Sequence, residues 1–339
     1  MLRKGQFMEH FSRTRRFCAA MLLGAVTVRL CSSNLPQMFL SWLTQPNTAA
    51  FLTYLETGRN VRFSSSSALS LEFVPESCAP FFPFLPEEAA LPAFSGEEAV
   101  EIWNASGLEP DIAALLTAPL AWDLTGNDPA VLILHTHTTE SYTQAGENYV
   151  ETSAWRTLDE GYNMLSIGDR VAEILSQYGI TALHDRQLHD YPSYNGSYAH
   201  ARKALRQYLE AYPSICLILD LHRDASETAN GQLRTLATVG NAQSAQLMLV
   251  LGTNAAGLKH DRWEENLALA LKLQVQLERH TPGITRPLYL RSQRFNQDVS
   301  PGALLVEVGA AGNTHAEALL AAEQLAHAIG ALGKGTQNK

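Results

Sequence analysis

The stretch AVLILHTHTTE, residues 130–140, joins a continuous apolar run to a cluster of polar side chains. An uninterrupted apolar run of this length is typical of a strand that is covered on both faces. Two histidines and a glutamate follow at the carboxyl end of that strand. A second run of the same kind, ICLILDL at 215–221, is followed directly by His222 and Arg223. The two stretches predict parallel strands whose carboxyl ends carry the chemistry.

Strand and helix patterns alternate along the rest of this region. Strand-like runs are found at 130–135, 180–183, 215–221, 233–239, 245–251, 284–290 and 303–308. Helical patterns are found at 163–178, at 197–212 with Ser197 as the N-cap, at 263–280, and after Thr314, which caps the last helix. This alternation predicts an α/β fold with three layers, in which a mostly parallel sheet carries helices on both faces.

Residues 1–31 read as a signal or membrane segment. They hold six basic residues against one glutamate, and the apolar run at 17–28 ends at Arg29. The run is therefore shorter than the roughly 20 residues that span a bilayer. Basic residues before such a run keep the N-terminus in the cytoplasm, so the rest of the chain is expected to be exported. The sequence leaves open whether the segment is cleaved or retained as an anchor.

The remaining chain divides near residue 129. Residues 32–128 contain a serine run at 64–67 and many prolines, which predicts a variable, largely irregular linker, with one short amphipathic helix near 39–54. Residues 129–335 form the predicted catalytic domain. The chain carries a net charge of -9 although residues 1–31 have a net charge of +5, so the remaining residues together carry -14. Such a charge excludes nucleic acid as a partner.

Histidines and carboxylates at the strand ends predict a metal site. The candidates are His135, His137 and Glu140 after the first strand and His222 after the second. Imidazole and carboxylate are zinc ligands, and the four cysteines form no CxxC pair that would bind zinc instead. Asp159 competes with Glu140 for the carboxylate position, although an acid near a helix N-terminus is also favoured by the helix dipole. A disulfide between Cys78 and Cys216 remains an alternative to Cys216 as a small core residue.

Other residues suit catalysis or substrate binding. Glu307 lies inside the apolar run LLVEVG, where an unpaired carboxylate is costly and its pKa is raised, as suits a general base. The alternative is a strand-end carboxylate that binds a backbone amide. Arg223 lies between two acids, which favours a structural ion pair over a substrate clamp. Tyr194 and Tyr198 belong to a tyrosine-rich loop that we expect to face the substrate.

Five blocks of sequence together resemble the stage II sporulation protein P family. In order, they are VLILHTHTTESY (131–142), HDYPSYNGSY (189–198), LILDLHRDA (217–225), LGTN (251–254) and LLVEVGAAGN (304–313). The resemblance covers about residues 130–331 and the N-terminal membrane segment. It implies a fold similar to the zinc N-acetylmuramoyl-L-alanine amidases. It also implies a peptidoglycan amidase, with cutting of peptide cross-bridges in some members, that acts in septal wall thinning and engulfment during sporulation.

The same resemblance implies roles and partners. Zn²⁺ falls on the 135–140 block and His222, and Glu307 is the general base. The related amidases take their carboxylate ligand from just before the first helix, where this chain has Asp159. The expected substrate is peptidoglycan, at the extracytoplasmic face of the membrane. The expected partners are a transglycosylase of the stage II sporulation protein D type and a membrane scaffold of the stage II sporulation protein M type.

Overall fold

The computed structural model describes residues 61–62, 72–73, 92–120, 122–143, 155–228 and 231–338. The chain divides into two compact units, Met1–Pro80 and Phe81–Lys339. In the first unit, strands β1 (Val61–Arg62) and β2 (Glu72–Phe73) pair antiparallel. The predicted signal segment, the predicted helix near 39–54 and Cys78 lie outside the described residues. Within these ranges, no helix has the length and apolar character needed to cross a membrane.

The second unit contains the helices and the main sheet. Its strands are β3 (Ala93–Phe94), β4 (Ile102–Asn104), β5 (Val131–Leu134), β6 (Ala182–His184), β7 (Leu217–Asp224), β8 (Glu227–Thr228), β9 (Gly231–Gln232), β10 (Leu236–Val239), β11 (Ala242–Ala245), β12 (Leu247–Gly252), β13 (Leu288–Arg291), β14 (Ala303–Ala310) and β15 (Gln337–Asn338). Its α-helices are α1 (Ile112–Thr117), α2 (Met164–Gln177), α3 (Ser197–Ala211), α4 (Trp263–His280) and α5 (His315–Leu332). A 3₁₀ helix spans Gln297–Val299.

The main sheet has seven strands in the order β4-β13-β12-β14-β7-β5-β6. All neighbours run parallel except β12 and β14, which are antiparallel. The sheet therefore consists of two parallel halves that meet at one antiparallel seam. The prediction of a mostly parallel α/β sheet is confirmed.

Helices cover the two faces of this sheet unequally. On one face, α2, α4 and α5 pack on residues such as Ile133, Leu219 and Val306 to form the principal core. On the other face, α3 packs through Ala201 and Leu205 onto the strands β5 and β7. Side chains alternate between the faces of a strand, so even-numbered residues of β7 point toward α3. The predicted three-layer arrangement is confirmed.

Half of the α3 face has no helix over it among the described residues. Met248, Val250 and Leu305 form a small separate cluster there, against which Tyr289 and Phe295 pack. This part of the face belongs to strands β12, β13 and β14 and extends to the edge strand β4. Met248, Val250 and Leu305 are buried, so the name that we give to this part, the open half of the α3 face, refers only to the lack of a described α-helix over it.

The compact unit begins well before residue 129, where the sequence places the start of the catalytic domain. Strand β4, from the predicted linker, pairs with β13 as the edge of the main sheet. Phe94 and Leu116, from the same stretch, are buried in the principal core. A strand of three residues is too short to give a periodic signal, which is why the pattern of the sequence misses it.

Side chains and glycines set the helix ends mostly as the sequence predicts. Thr314 and Glu317 form a capping box at the start of α5. After α2, Gly179 adopts a positive φ of 69°. The predicted N-cap Ser197 is wrong, because Ser197 is the first residue of α3 and its hydroxyl donates to the carbonyl of Tyr194. Gly196, with a φ of 94°, holds the cap position instead.

Lys272 gives a pH-dependent test of the packing of α1 on α4. It is a buried residue of α4, and its Nζ donates to the carbonyl of Leu115 at 2.6 Å. Burial lowers the pKa of Lys272 from 10.5 to about 8, against the opposing effect of the Glu98 carboxylate. Between these two pH values the unfolded chain binds more protons than the folded chain, so this residue makes the free energy of unfolding rise with pH.

Lys272→Met removes this titration. At pH 7 the buried lysine is charged in the folded protein, which is unfavourable, and at pH 10 it is neutral there. We therefore expect the free energy of unfolding of the variant to exceed that of the unmodified protein by more at pH 7 than at pH 10. Urea denaturation of both proteins at the two pH values measures the change in their difference. A difference that does not vary with pH would contradict the buried state of Lys272.

Candidate active site

The candidate site lies beside the carboxyl ends of β5 and β7. The chain leaves β5 through α2 on one face of the sheet and leaves β6 through α3 on the other. The loops that follow β5 and β7 lie at the same edge of the sheet, and the crevice beyond the carboxyl ends of the strands is where α/β sheets hold their ligands. The loop 135–140 follows β5 into this crevice, and His222 lies near the end of β7.

Asp220 holds the loop after β5 in place. Its Oδ1 accepts from the backbone N–H of Thr136 at 2.8 Å, and its Oδ2 accepts from the Thr136 hydroxyl at 2.6 Å. Burial raises the pKa of Asp220, but His222 and these hydrogen bonds outweigh it and lower the pKa below its ordinary value. Asp220 stands inside an apolar run as Glu307 does, but the sequence pattern alone assigns it no role.

His137, Glu140 and His222 come together in the crevice, and each is buried. The rings of His137 and His222 lie 5.3 Å apart between centroids and nearly perpendicular. His222 Nδ1 is 3.7 Å from Glu140 Oε2. His222 Nε2 is 2.9 Å from Asp220 Oδ1, but without the geometry of a hydrogen bond. Burial lowers the pKa of His222, yet the carboxylates of Asp220, Glu140 and Glu307 raise it to about 9.

Glu307 stands beside His222, because β14 and β7 pair in a register that sets these two residues opposite each other. Residues opposite each other in a parallel pair point to the same face, so both side chains face the crevice. Glu307 Oε2 is buried and has no hydrogen-bond partner among the described residues. Burial raises the pKa of Glu307 to about 8, with a further rise from Glu140 that His222 opposes.

His135 does not join this group. Its Nδ1 is 3.1 Å from the carbonyl oxygen of Leu221, and its Nε2 is 2.8 Å from Nε2 of His184. Burial, and then the nearby His184, lower the pKa of His135 to about 3. His184 in turn contacts Asp169 at 2.9 Å. Both ring nitrogens of His135 therefore have partners, whereas His137 Nδ1 is buried and has none among the described residues.

Asp159 also lies apart from the histidines. Its side chain is exposed, and its Oδ1 accepts from the N–H of Gly161 at 3.0 Å. Asn163, and not Asp159, caps α2, with its side chain accepting from Leu165 N–H. Of the two competing carboxylates, the structure brings Glu140 to the two histidines and leaves Asp159 in the loop.

Arg223 is buried, as a structural residue would be. Its guanidinium donates to the carbonyls of Ser141 at 3.0 Å and Trp155 at 2.8 Å, and its Nη1 lies 3.8 Å from Glu140 Oε1. Its backbone N–H also donates to Glu140 Oε2 at 3.3 Å. These contacts hold Glu140 and the loop after it, so the geometry favours the ion-pair interpretation over a substrate clamp.

The tyrosine-rich loop reaches the site from the side of α3. Tyr194 is 56 % exposed and stacks on His137 with 4.5 Å between ring centroids. Tyr198 meets His137 edge-on at 5.7 Å, and burial raises the pKa of its phenol. Arg156 lies over the Tyr194 ring at 4.8 Å and pairs with both Glu140 and Asp190. The sequence offered no periodic signal for Arg156 or Asp190.

The residues present fit a zinc ion by their chemistry. Imidazoles and carboxylates are its ligands in proteins without available thiolates. His137 Nδ1 and His222 Nε2 are both buried and lack hydrogen-bond partners within the described part of the chain. In that same part, no three histidine, cysteine or acidic side chains are already arranged around one point as a metal requires. The residues that would hold the ion are His137, Glu140 and His222.

The fold and the site together define an α/β protein with a histidine–carboxylate centre at the carboxyl ends of parallel strands. The family model described as Stage II sporulation protein P (SpoIIP) matches residues 88–330, which is most of the chain. The chain belongs to that family, as the sequence blocks predict.

The similar proteins match different fractions of this chain and of their own chains. Stage II sporulation protein P of Bacillus subtilis (strain 168) is 27 % identical over 213 residues, which are 60 % of this chain and 50 % of that protein. The chain therefore spans about half the length of the curated relative it matches. Among solved structures, the CwlD amidase from Clostridioides difficile in complex with the GerS lipoprotein is 16 % identical, with a TM-score of 0.35, over 59 % of this chain and 94 % of that chain.

Another similar structure is the apo form of the N-acetylmuramyl-L-alanine amidase Ami1 from Mycobacterium abscessus. It is 15 % identical with a TM-score of 0.37 and covers 60 % of this chain and 97 % of that chain. The N-acetylmuramoyl-L-alanine amidase from Clostridium difficile 630 is 16 % identical with a TM-score of 0.36, over 60 % of this chain and 94 % of that chain.

Gly168 gives a test of the separate His135–His184 contact. A Cβ at this position of α2 would lie 2.7 Å from His135 Nε2 and closer still to His184 Nε2. We expect Gly168→Ala to push the two rings apart and to lower the free energy of unfolding by about 1–3 kcal/mol, despite the better helix propensity of alanine. Urea denaturation measures this change.

His184→Ala provides the control, because it removes the nearer of the two rings that the new methyl group would meet and leaves His135 room to move. In the His184→Ala background, Gly168→Ala should lose less stability than in the unmodified protein. Equal losses in the two backgrounds would show that Gly168 does not serve this contact.

Proposed function

We propose that this protein is a zinc-dependent N-acetylmuramoyl-L-alanine amidase that hydrolyses peptidoglycan. The proposal is supported by its family and by the chemistry of the crevice. The observation that carries it is the convergence of His137, Glu140 and His222 with Glu307 at adjacent strand ends. Two imidazoles and a carboxylate supply a ligand set, and a second carboxylate with a free buried oxygen supplies a base.

In this proposal His137, Glu140 and His222 hold the zinc. The bound ion would lower the pKa of a water molecule and polarise the carbonyl of the substrate amide. Asp220 and Arg223 do not bind the ion but position its ligands, since Asp220 fixes the loop through Thr136 and Arg223 fixes Glu140. Ligands that are held by such contacts keep the orientation that metal binding needs.

Glu307 carries the proton. Its side chain accepts a proton from the attacking water, whose oxygen forms a bond to the carbonyl carbon between the lactyl group and L-alanine. The same carboxylic acid then donates that proton to the nitrogen of L-alanine as the carbon–nitrogen bond breaks. The products are a lactyl carboxylate and a free stem peptide. His135 takes no part in this proposal, because both of its nitrogens are occupied by Leu221 and His184.

The proposed setting is the cell wall during sporulation. The chain's family supports a sporulation role, and the basic and apolar composition of residues 1–31 supports export. In this setting the proposed partners are a transglycosylase of the stage II sporulation protein D type and a scaffold of the stage II sporulation protein M type. Copurification with the full chain tests each partner separately from the hydrolytic activity.

Glu307→Gln tests the base. The amide keeps the size of the side chain but cannot accept the proton, so we expect turnover of purified peptidoglycan to fall by about 10²–10⁴-fold. Mass spectrometry of the soluble fragments measures the release of free stem peptides by the full chain. Asp159→Asn is the matched control, because Asp159 is exposed and apart from the site. Comparable turnover by Glu307→Gln and the unmodified protein would rule out the proposed base.

Direct zinc binding tests the ligand set independently of activity. We expect His137→Ala and His222→Ala to lose stoichiometric zinc in isothermal titration, because each removes an unpartnered buried nitrogen. His135→Ala and Asp159→Asn should retain it. Circular dichroism verifies that every variant is folded. Loss of zinc from folded His135→Ala, together with its retention by folded His137→Ala, would exchange the roles of the two histidines.

A further inference from the structure

Trp103 is an exposed aromatic residue on the edge strand of the main sheet. It is 59 % exposed, and its ring stacks on Tyr289 with 4.2 Å between centroids and an interplanar angle of 2°. The two residues are opposite each other in the pairing of β4 with β13. The stack leaves much of the indole in solvent. An aromatic pair exposed in this way is a common feature of binding surfaces.

The stack lies on the open half of the α3 face. Tyr289 is in register with Val250, and Val250 with Leu305, so all three share a face with Trp103. Glu307, two residues after Leu305, points the same way. The exposed indole and the proposed base therefore lie on the same face of the sheet, with Val250 and Leu305 buried between them. Three strand spacings, or about 14 Å, separate their strands.

A file of rings and one guanidinium connects Trp103 to the candidate site. Arg291 lies 4.9 Å from the centre of the Tyr289 ring and 5.7 Å from that of Phe295. Phe295 is 6.2 Å from Tyr198, which in turn meets His137 at 5.7 Å. The consecutive members of the file are Trp103, Tyr289, Arg291, Phe295, Tyr198 and His137. The file has no break larger than the ordinary distance between interacting rings.

Arg291 adds hydrogen-bond donors to this surface. Within the described part of the chain, no carboxylate lies within 4.0 Å of its guanidinium. The guanidinium presents five N–H donors, and its contacts with Tyr289 and Phe295 use the face of the group. The in-plane donors are available to hydroxyl, acetamido and carboxylate oxygens of a ligand.

We propose that Trp103, Tyr289 and Arg291 form a platform that binds the glycan strand of peptidoglycan. The inference rests on the proposed function, because the file leads to the site where the stem peptide would be cut from that strand. A pyranose ring presents an apolar face of C–H groups, which packs on the exposed indole. Its hydroxyl and acetamido groups accept hydrogen bonds from Arg291. The platform holds the polymer at a distance from the bond that is cut.

A binding measurement tests the platform without requiring hydrolysis. The full chain carrying Glu307→Gln is sedimented with purified peptidoglycan, and separately with glycan strands from which the stem peptides have been removed. In this background, Trp103→Ala should weaken binding to both probes about tenfold, as expected for the loss of one stacked ring. Trp103→Phe should restore part of the affinity. Leu258→Ala, which removes another exposed apolar side chain, is the matched control and should bind normally.

The outcomes separate this inference from the proposed function. Normal binding by Trp103→Ala to both probes would overturn the platform, even if the amidase activity is established. A second result would also overturn it: the protein with Trp103 binds intact peptidoglycan but not peptide-free glycan, and Trp103→Ala loses the binding to intact peptidoglycan. The occupant would then be the stem peptide. Loss of binding to both probes supports the platform, even if no amide bond is cut.

Discussion

The pairing of β7 with β14 is the constraint on which the site depends. Its register sets His222 opposite Glu307, and the alternation of side chains turns both toward the α3 face. The neighbouring pair of β5 with β7 sets Leu134 opposite Asp220, so the loop after β5 begins beside the carboxylate that binds it. A slip of one residue in either pairing would turn these groups into the principal core. The apolar residues 217, 219 and 221, buried on the opposite face, therefore protect the geometry of the site.

The protein holds several charged groups out of water in this crevice. Isolated buried charges are costly, so each needs a partner. Glu140 has Arg156 and Arg223 beside it, and Asp220 accepts hydrogen bonds from Thr136. Among the described residues of the crevice, His137 Nδ1, His222 Nε2 and Glu307 Oε2 are buried without a hydrogen bond, although His222 Nε2 lies close to Asp220. Polar atoms that are buried without partners in an otherwise satisfied network are the ones available to a ligand.

The two faces of the sheet are covered to different extents. The face under α2, α4 and α5 is filled by the principal core. The opposite face carries α3 over β5 and β7, and the site lies at the border between this covered part and the open half. The open half extends from β14, across its antiparallel pairing with β12, through β13 to the edge strand β4.

The sequence by itself determined the α/β class, the main helices and the strands that carry the site, because long apolar runs and helical periodicity are local signals. It also marked His137, Glu140, His222 and Glu307 as candidates, since burying a polar group beside an apolar strand is costly in free energy unless the group has a partner or a ligand. Only the tertiary structure decided which candidates meet. His135 and His137 are equivalent in the sequence, but one faces His184 and the other faces His222. Strand β4, Asp220 and the partnership of Arg156 with Glu140 also required the fold, because strand pairing and contacts between distant segments leave no periodic trace in the chain.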